Sequence, residues 1–594
     1  MTLTYRYFKW FVIGCAIQIL CACAAVSPSG RVLATINDAD LAASNRRPTV
    51  IEVEPGKPAV LYITKAGRVA MQRGVDTKLI DTTARVKEGA SYPKLYKNSA
   101  GLHALWWSHA DEKNIYMTTS KDNGQSFSPV QMPNVDHGVL LPYTLLPGTT
   151  PGVLGLVYSD ERSPGYQVYA NRSTDGGLSW GAVDTRLDTP PVAGRSSSAQ
   201  DPVALKLTNG WVVVWSDTHH EDGKAVYRLM STVSRNDGLT WAAPTVIYVA
   251  DRSISSLAGS VEKDKVVVAA SVYGRGLFAS VSLDAGTQWK AVGLAPGTEK
   301  VEVSGLRAAQ KNDIANYTWM QSAENEKTRI VHARVDVTTA SWLDGGARRL
   351  DVKVHDNTMS MSPAIVTLEG NRLAVAWIDY REIVPNVRLS VSEDDGKIWK
   401  PSIPIMDLAK NWPAGWPSIY SWEDGLAIAQ AERDAFNFGD ERFVVKHWSN
   451  AALSAGLTEA KGGVAELMGE SKVARLRKRV DNFWSARVTA NTDGTYGIYD
   501  HVYRALNSKE AHRSSMGPLT YINYSIGDVS VKGNEAKVGV TFKYEIKSIL
   551  MPGMPKPVEV APTEVTTNLT WVWVVNDWYL VYSSEIMKDQ PLQY

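Results

Sequence analysis

The chain has 594 residues, with 63 Lys plus Arg against 62 Asp plus Glu and a formal net charge of +1. That balance leaves no field to gather nucleic acid or an anionic lipid surface, which sets both aside as partners. The three cysteines, Cys15, Cys21 and Cys23, lie within the first 23 residues. The remainder therefore carries no disulfide, thiol nucleophile or cysteine metal ligand.

In chain order, the first element is a targeting segment. Arg6 and Lys9 precede the apolar run Trp10–Leu20, which is too short to prefer spanning a bilayer. Leu20-Cys21-Ala22-Cys23 resembles a bacterial lipobox with Cys23 as the lipidated residue, and Val12-Ile13-Gly14-Cys15 is a weaker match. The alternative is an ordinary cleaved signal peptide. Ala24 follows Cys23 where an Asp would favour inner-membrane retention. The expectation is thus a signal peptide over 1–23, a tether over 24–47 and an outer-membrane lipid anchor in the cell envelope. Which face of that membrane the protein meets stays open.

Next come five octapeptides of the form Ser-x-Asp/Asn-x-Gly-x-x-Trp/Phe, at Ser120–Phe127, Ser173–Trp180, Ser234–Trp241, Ser282–Trp289 and Ser392–Trp399. Asp122, Asp175, Asn236, Asp284 and Asp394 have short side chains suited to accepting backbone N–H groups of their own turn. The glycines two positions on supply positive φ, and the closing aromatic supplies a plug against a neighbour. This role is structural. The pattern is the Asp-box, or BNR repeat, and over residues 48–455 the chain resembles the sialidase-like β-propellers.

The boxes start 53, 61, 48 and 110 residues apart. A period near fifty fits one four-stranded blade per repeat, and the double gap predicts a degenerate unit around Val335–Trp342. Short apolar strands, often opening on proline, run in phase with the boxes: YPKLY at Tyr92, LPYTLL at Leu141, DPVALKL at Asp201, SPAIVTL at Ser362 and WPSIYSW at Trp416. Second strands such as GLVYSD, WVVVWSD and LAVAWID follow them. The count favours seven blades within a range of six to eight, with N-terminal strands closing the ring.

After a linker at 456–470, the pattern changes over 471–594. Val473, Leu476, Val480, Phe483, Trp484 and Val488 recur at helical spacing, and a second helix is expected over Thr495–Leu506. Alternating strands follow at Ala536–Tyr544, Asn568–Val575 and Trp578–Tyr582, the last two joined by a turn at Asn576-Asp577. The order of helices then antiparallel strands makes an α+β domain. FWSARVTANTDGTYGIYDHVYR leading and WVWVVNDWYLVY closing resemble the NTF2-like (SnoaL-like) cone fold. That resemblance implies a pocket, which Tyr499, His501 and Tyr503 would line, and a module for binding, catalysis or dimerisation.

In an Asp-box propeller the boxes mark one face, so loops after the second strands open on the other. Those loops carry His109 and Asp111; Asp160, Glu161 and Arg162; Asp217, His219, His220 and Glu221; and Arg275. They continue with Glu324 and Glu326, Asp379 and Arg381, and Glu432, Arg433 and Asp434. Asp160, Asp217 and Asp379 are the candidate catalytic carboxylates. Asp160, Arg162, Asp217, His219, Asp379, Arg381 and Arg433 are the candidate ligand contacts. No metal-ligand spacing and no cofactor motif is present, so neither is expected.

The sialidase resemblance implies an arginine triad for a substrate carboxylate, an Asp acid/base and a Tyr–Glu nucleophile. The Arg-Ile-Pro motif of the first arginine is missing: the nearest match is Arg46-Arg47-Pro48, and the openings YPKLY and SPAIVTL have no arginine before proline. The resemblance thus covers the scaffold and not the sialidase active site. The favoured expectation is an envelope lipoprotein whose propeller binds a glycan or a protein partner, with the C-terminal domain adding a second contact or a dimer interface. The alternative is a glycoside hydrolase with non-standard catalytic residues on the same face.

Overall fold

The computed structural model describes residues 30–581 except 42–43, 82–88, 110–111, 163–164, 189–196, 222, 324–326, 353–358, 381–385, 407–410, 414–416, 435–440, 455–470, 501–502, 504–506, 508, 516–518, 534, 550–557 and 575–576. The N-terminal segment with Cys23 lies outside the described residues.

From Arg31 to Ser449 the described chain forms eight successive antiparallel sheets of three to five strands. Their first strands are Thr49–Glu54, Ala90–Asn98, Val139–Pro147, Ser197–Leu207, Ile254–Glu262, Glu302–Lys311, Ser360–Thr367 and Ser418–Trp422. Most of these strands pack directly on the first strand of the next sheet, and Ser418–Trp422 packs back on Thr49–Glu54. The second and third sheets meet through Leu105, Met117, Tyr143 and Leu156 in one buried cluster. The result is a ring, a sialidase-like β-propeller, whose axis is bordered by the free edges of the first strands.

The spacing predicts seven units, and the described sheets number eight. The difference has two sources. The sheet over Thr49–Leu79 carries no Asp-box, and the eighth sheet takes its outer strand from Arg31–Ile36, which pairs with Glu441–Ser449. The stretch Val335–Trp342 does occupy the third-to-fourth-strand turn of the sixth sheet, with Asp336 accepting the N–H groups of Thr338 and Thr339.

Each box side chain closes its own turn. Asp122 accepts from Ser126 N (2.8 Å), Asp175 from Ser179 N (2.9 Å) and Asn236 from Thr240 N (2.9 Å). Asp284 accepts from Gln288 N and Asp394 from Ile398 N, both at 2.8 Å. The boxes also join neighbouring sheets. Trp289 donates to Ser231 Oγ of the preceding sheet, and Trp399 meets His332 edge-on at 5.1 Å. At Gly238 (φ +79°) a Cβ would stand 2.2 Å from Trp211, so the close approach requires glycine.

The C-terminal part opens with a helix, Lys472–Val488, capped by Ser471, which accepts from Ala474 N at 3.1 Å. Leu476, Val480, Phe483 and Trp484 bury against Val538, Val540, Trp571 and Trp578 of a four-stranded antiparallel meander. The strands are Thr520–Lys532, Glu535–Ile549, Val558–Val574 and Asp577–Leu580; the second and third are longer than the alternation alone predicts. A short helix at Thr492–Tyr496, closed at Gly497, starts the stretch expected to be helical over Thr495–Leu506; residues 501–502 and 504–506 of that stretch lie outside the described residues. Tyr499 then bridges to Leu580. This domain touches the ring through Val572, which joins Leu426, Trp448 and Leu453 in one core. Among the described residues no helix is long and apolar enough to cross a membrane.

Candidate functional site at the ring axis

Strand register fixes which residues share the end opposite the Asp-boxes. Second strands end there and first strands begin there: Asp160 faces Val139, Asp379 faces Ser360 and Glu432 faces Pro413. Ser120, which opens a box, instead faces Leu102 at the other end. The sequence therefore places the mouth carboxylates on one face, as expected from the hairpin alternation.

Burial and bonding decide what those carboxylates can do. Asp160 is fully buried, accepts from Arg162 N at 2.6 Å and holds the Arg162 guanidinium at 2.8 Å. Arg162 also reaches Asp184 and Asp136, each at 3.0 Å, and stacks 4.0 Å over Tyr169. It is thus held by three carboxylates through its two terminal nitrogens. Asp217 is buried against Arg228 at 2.7 Å, and His219 binds Glu221 at 2.6 Å. Asp379 is buried and accepts from Trp377 Nε1 at 3.0 Å and Ser360 Oγ at 3.4 Å. Glu432 is buried beside Lys446 at 2.5 Å. Glu161 pairs with Lys113, and Arg275 with Asp251, on the surface. Such buried, fully bonded pairs hold strand ends in register.

Of the other expected site residues, Asp111, Glu324, Glu326, Arg381 and His501 lie outside the described residues, as do the side chains of Arg433 and Asp434. Among the described residues no group of three or more His, Cys, Asp or Glu could hold a metal ion.

A second set of polar residues emerges at the axis, on the inner strands. Lys94 and Arg307 occupy corresponding register positions in the second and sixth sheets, each just past a bulge. Lys94 donates to the Tyr143 carbonyl and sits 4.5 Å over the Tyr143 ring, with burial lowering its pKa to about 8. Arg307 stays exposed to solvent, yet surrounding protein lowers its pKa. Its one hydrogen bond is to the Leu306 carbonyl at 2.9 Å, and no described carboxylate pairs with it. Arg47, at the start of the first sheet, has its pKa lowered to about 10 by burial and by Arg307, with Tyr420 opposing. The two arginines therefore feel each other across sheets. Tyr96, raised to about 12 by burial, follows Lys94 on the same strand.

The rim above carries aromatic surface. Tyr92, 39% exposed, meets Trp107 edge-on at 6.1 Å, and Trp107 lies 5.8 Å from His109. Partly exposed rings of this kind present apolar faces to the C–H faces of sugars.

Sequence reasoning missed Arg47, Lys94 and Arg307 as a set. It weighed Arg46-Arg47-Pro48 and YPKLY only as failed copies of one arginine motif. Lys94 and Arg307 each stand two residues after a positive-φ bulge residue, Tyr92 and Gly305, but a proline marks that register only in the first of the two strands, so the sequence alone does not align them.

Residues 104–428 match the BNR repeat-like domain family. No curated protein matches the chain. Among solved structures, the Penicillium chrysogenum α-L-arabinanase complexed with arabinobiose is 16% identical, with a TM-score of 0.32, covering 52% of this chain and 99% of its own. The Trypanosoma rangeli sialidase in complex with sialic acid is 12% identical, with a TM-score of 0.29, covering 78% and 86%. An ulvan lyase of the polysaccharide lyases is 10% identical, with a TM-score of 0.40, covering 73% and 99%.

Proposed function

Since the match spans more than half of its length, the chain belongs to the BNR repeat-like domain family, and from that premise we propose that its propeller binds an acidic glycan at the ring axis. The observation that carries the reading is Arg307. A guanidinium with solvent access, desolvating surroundings and no described carboxylate partner is poised for an external anion. Lys94 and Arg47 add positive charge from two other sheets, and Tyr92 with Trp107 offers a stacking face. A carboxylate or sulfate on a sugar chain satisfies both features.

In the same reading the protein is exported, anchored to the envelope by a lipid on Cys23, and presents the mouth to glycans outside the membrane. The C-terminal domain acts as an NTF2-like module that adds a second contact or a dimer interface. Glycoside hydrolysis is the second reading, and it is less favoured because Asp160, Asp217 and Asp379 are each buried and already bonded.

The test is calorimetric titration of the protein lacking residues 1–23 with polygalacturonate, dextran sulfate and neutral dextran. Binding to the two polyanions but not to dextran is expected, weakening with salt. Arg307→Ala should cost about 10–100-fold, the worth of hydrogen bonds to a charged group. Equal affinity for neutral dextran, or no binding to either polyanion, would refute the reading. Release of reducing ends from polygalacturonate would favour the hydrolase instead.

A further inference from the structure

The inner strands share a backbone device. In five of the eight, the bulge residue has positive φ: Tyr92 (51°), Asp201 (54°), Ser256 (49°), Gly305 (60°) and Ser362 (55°). The register of each strand slips at that point. Tyr92, Asp201 and Ser362 also precede a proline, which disfavours helical backbone at the preceding residue. A bulge leaves its extra residue unpaired, disrupts the ladder locally and bends the strand, and bulges recur next to functional sites, where they re-aim a side chain. On these strands the free edge borders the axis.

Asp201 stands apart in this set. It is half-buried, and it has no hydrogen-bond or ion-pair partner among the described residues. Burial alone raises its pKa. The mouth carboxylates Asp160, Asp217, Asp379 and Glu432 are all bonded. A desolvated carboxylate without a donor is costly, and so is a non-glycine residue held at positive φ. Gly305 shows that the same bulge can be built without either cost.

We propose that Asp201 is a specificity-determining residue of the axial site, accepting hydrogen bonds from the hydroxyl groups of a sugar whose chain is held by the axial cations. The inference rests on the reading of that site as an acidic-glycan site and assigns Asp201 the part of the ligand that is not anionic. Asp201 and Arg307 stand on the first strands of different sheets, so each meets its own portion of the glycan. The chain therefore selects a polyhydroxylated anion over a plain one.

The test compares oligogalacturonate with polyacrylate, which carries carboxylates on a chain without hydroxyls, by calorimetry at constant ionic strength. Asp201→Gly, which keeps a backbone the fold already uses at Gly305, should weaken oligogalacturonate binding about 10–100-fold and leave polyacrylate unchanged. Asp201→Asn, which tolerates positive φ and keeps one acceptor oxygen, should restore part of that loss. Equal weakening of both ligands would mark a structural role and overturn the proposal, as would no change in either. Wild-type binding of polyacrylate without oligogalacturonate would sink the role of Asp201 and leave the cation site standing. Binding of neither would remove the acidic-glycan reading together with it.

Discussion

Asp237 gives the sharpest test of how the boxes tie the ring together. It follows the Asn of the third box and is 3% exposed, with φ of 53°. Its carboxylate leaves its own turn and grips the loop at the end of the third sheet's first strand. It accepts from Thr149 N at 2.8 and 2.9 Å, Thr149 Oγ1 at 2.6 Å and Thr150 N at 3.1 Å. Removing it orphans three donors. Thr149 and Thr150 are exposed and can turn to water, so each is worth about 1 kcal/mol rather than its full desolvation cost. Asp237→Gly, free of backbone strain, should therefore cost about 2–4 kcal/mol. Asp237→Ala should cost about 1 kcal/mol more, because alanine is strained at positive φ. Asp237→Asn should fall between wild type and glycine, since one acceptor oxygen survives. Burial alone would raise the Asp237 pKa, but the bonds from Thr149 and Thr150 outweigh it and hold the value below the ordinary one. The contribution is thus present above the unfolded carboxylate pKa and lost as pH falls through the folded value. The assay is guanidinium unfolding followed by tryptophan fluorescence at neutral and acid pH. A glycine variant as stable as wild type at neutral pH would refute the clamp.

Two further outcomes follow from residues already described. Lys94, with a pKa near 8, loses its proton as pH rises through that value, so acidic-glycan affinity should drop above about pH 8 and Lys94→Met should abolish that step; calorimetry across pH at fixed salt checks it. Between that pKa and the ordinary lysine value the unfolded chain holds more protons, so stability itself should rise with pH there. Gly238→Ala places a methyl 2.2 Å from Trp211 at a positive φ and should cost about 2–4 kcal/mol, read from the unfolding midpoint.

The scaffold was legible because its punctuation is chemical. Each Ser-x-Asp-x-Gly turn is closed by its own side chains, so five local motifs report the repeat without any tertiary knowledge. The count was harder. The first sheet lacks a box, and the outer strand of the last is drawn from the start of the chain. The long C-terminal strands outran their alternation because their register is set by neighbouring strands. The candidate site was read at the wrong depth. WSD and WID spell charged strand ends, yet Asp217 and Asp379 turn inward to bonds that only the fold reveals. Asp201 and Arg307 look like ordinary strand residues until the structure shows the register slips beside them on the first strands of their sheets.

The pairing of Arg31–Ile36 with Glu441–Ser449 sets an order of events for the living chain. Arg31–Ile36 has no partner until the last repeat is made, so it waits as an open edge while more than four hundred residues emerge. A chain in that state offers a β-edge to any neighbour, and a product truncated before Glu441 never loses it. Quality control need watch only one seam to know whether the whole ring is complete.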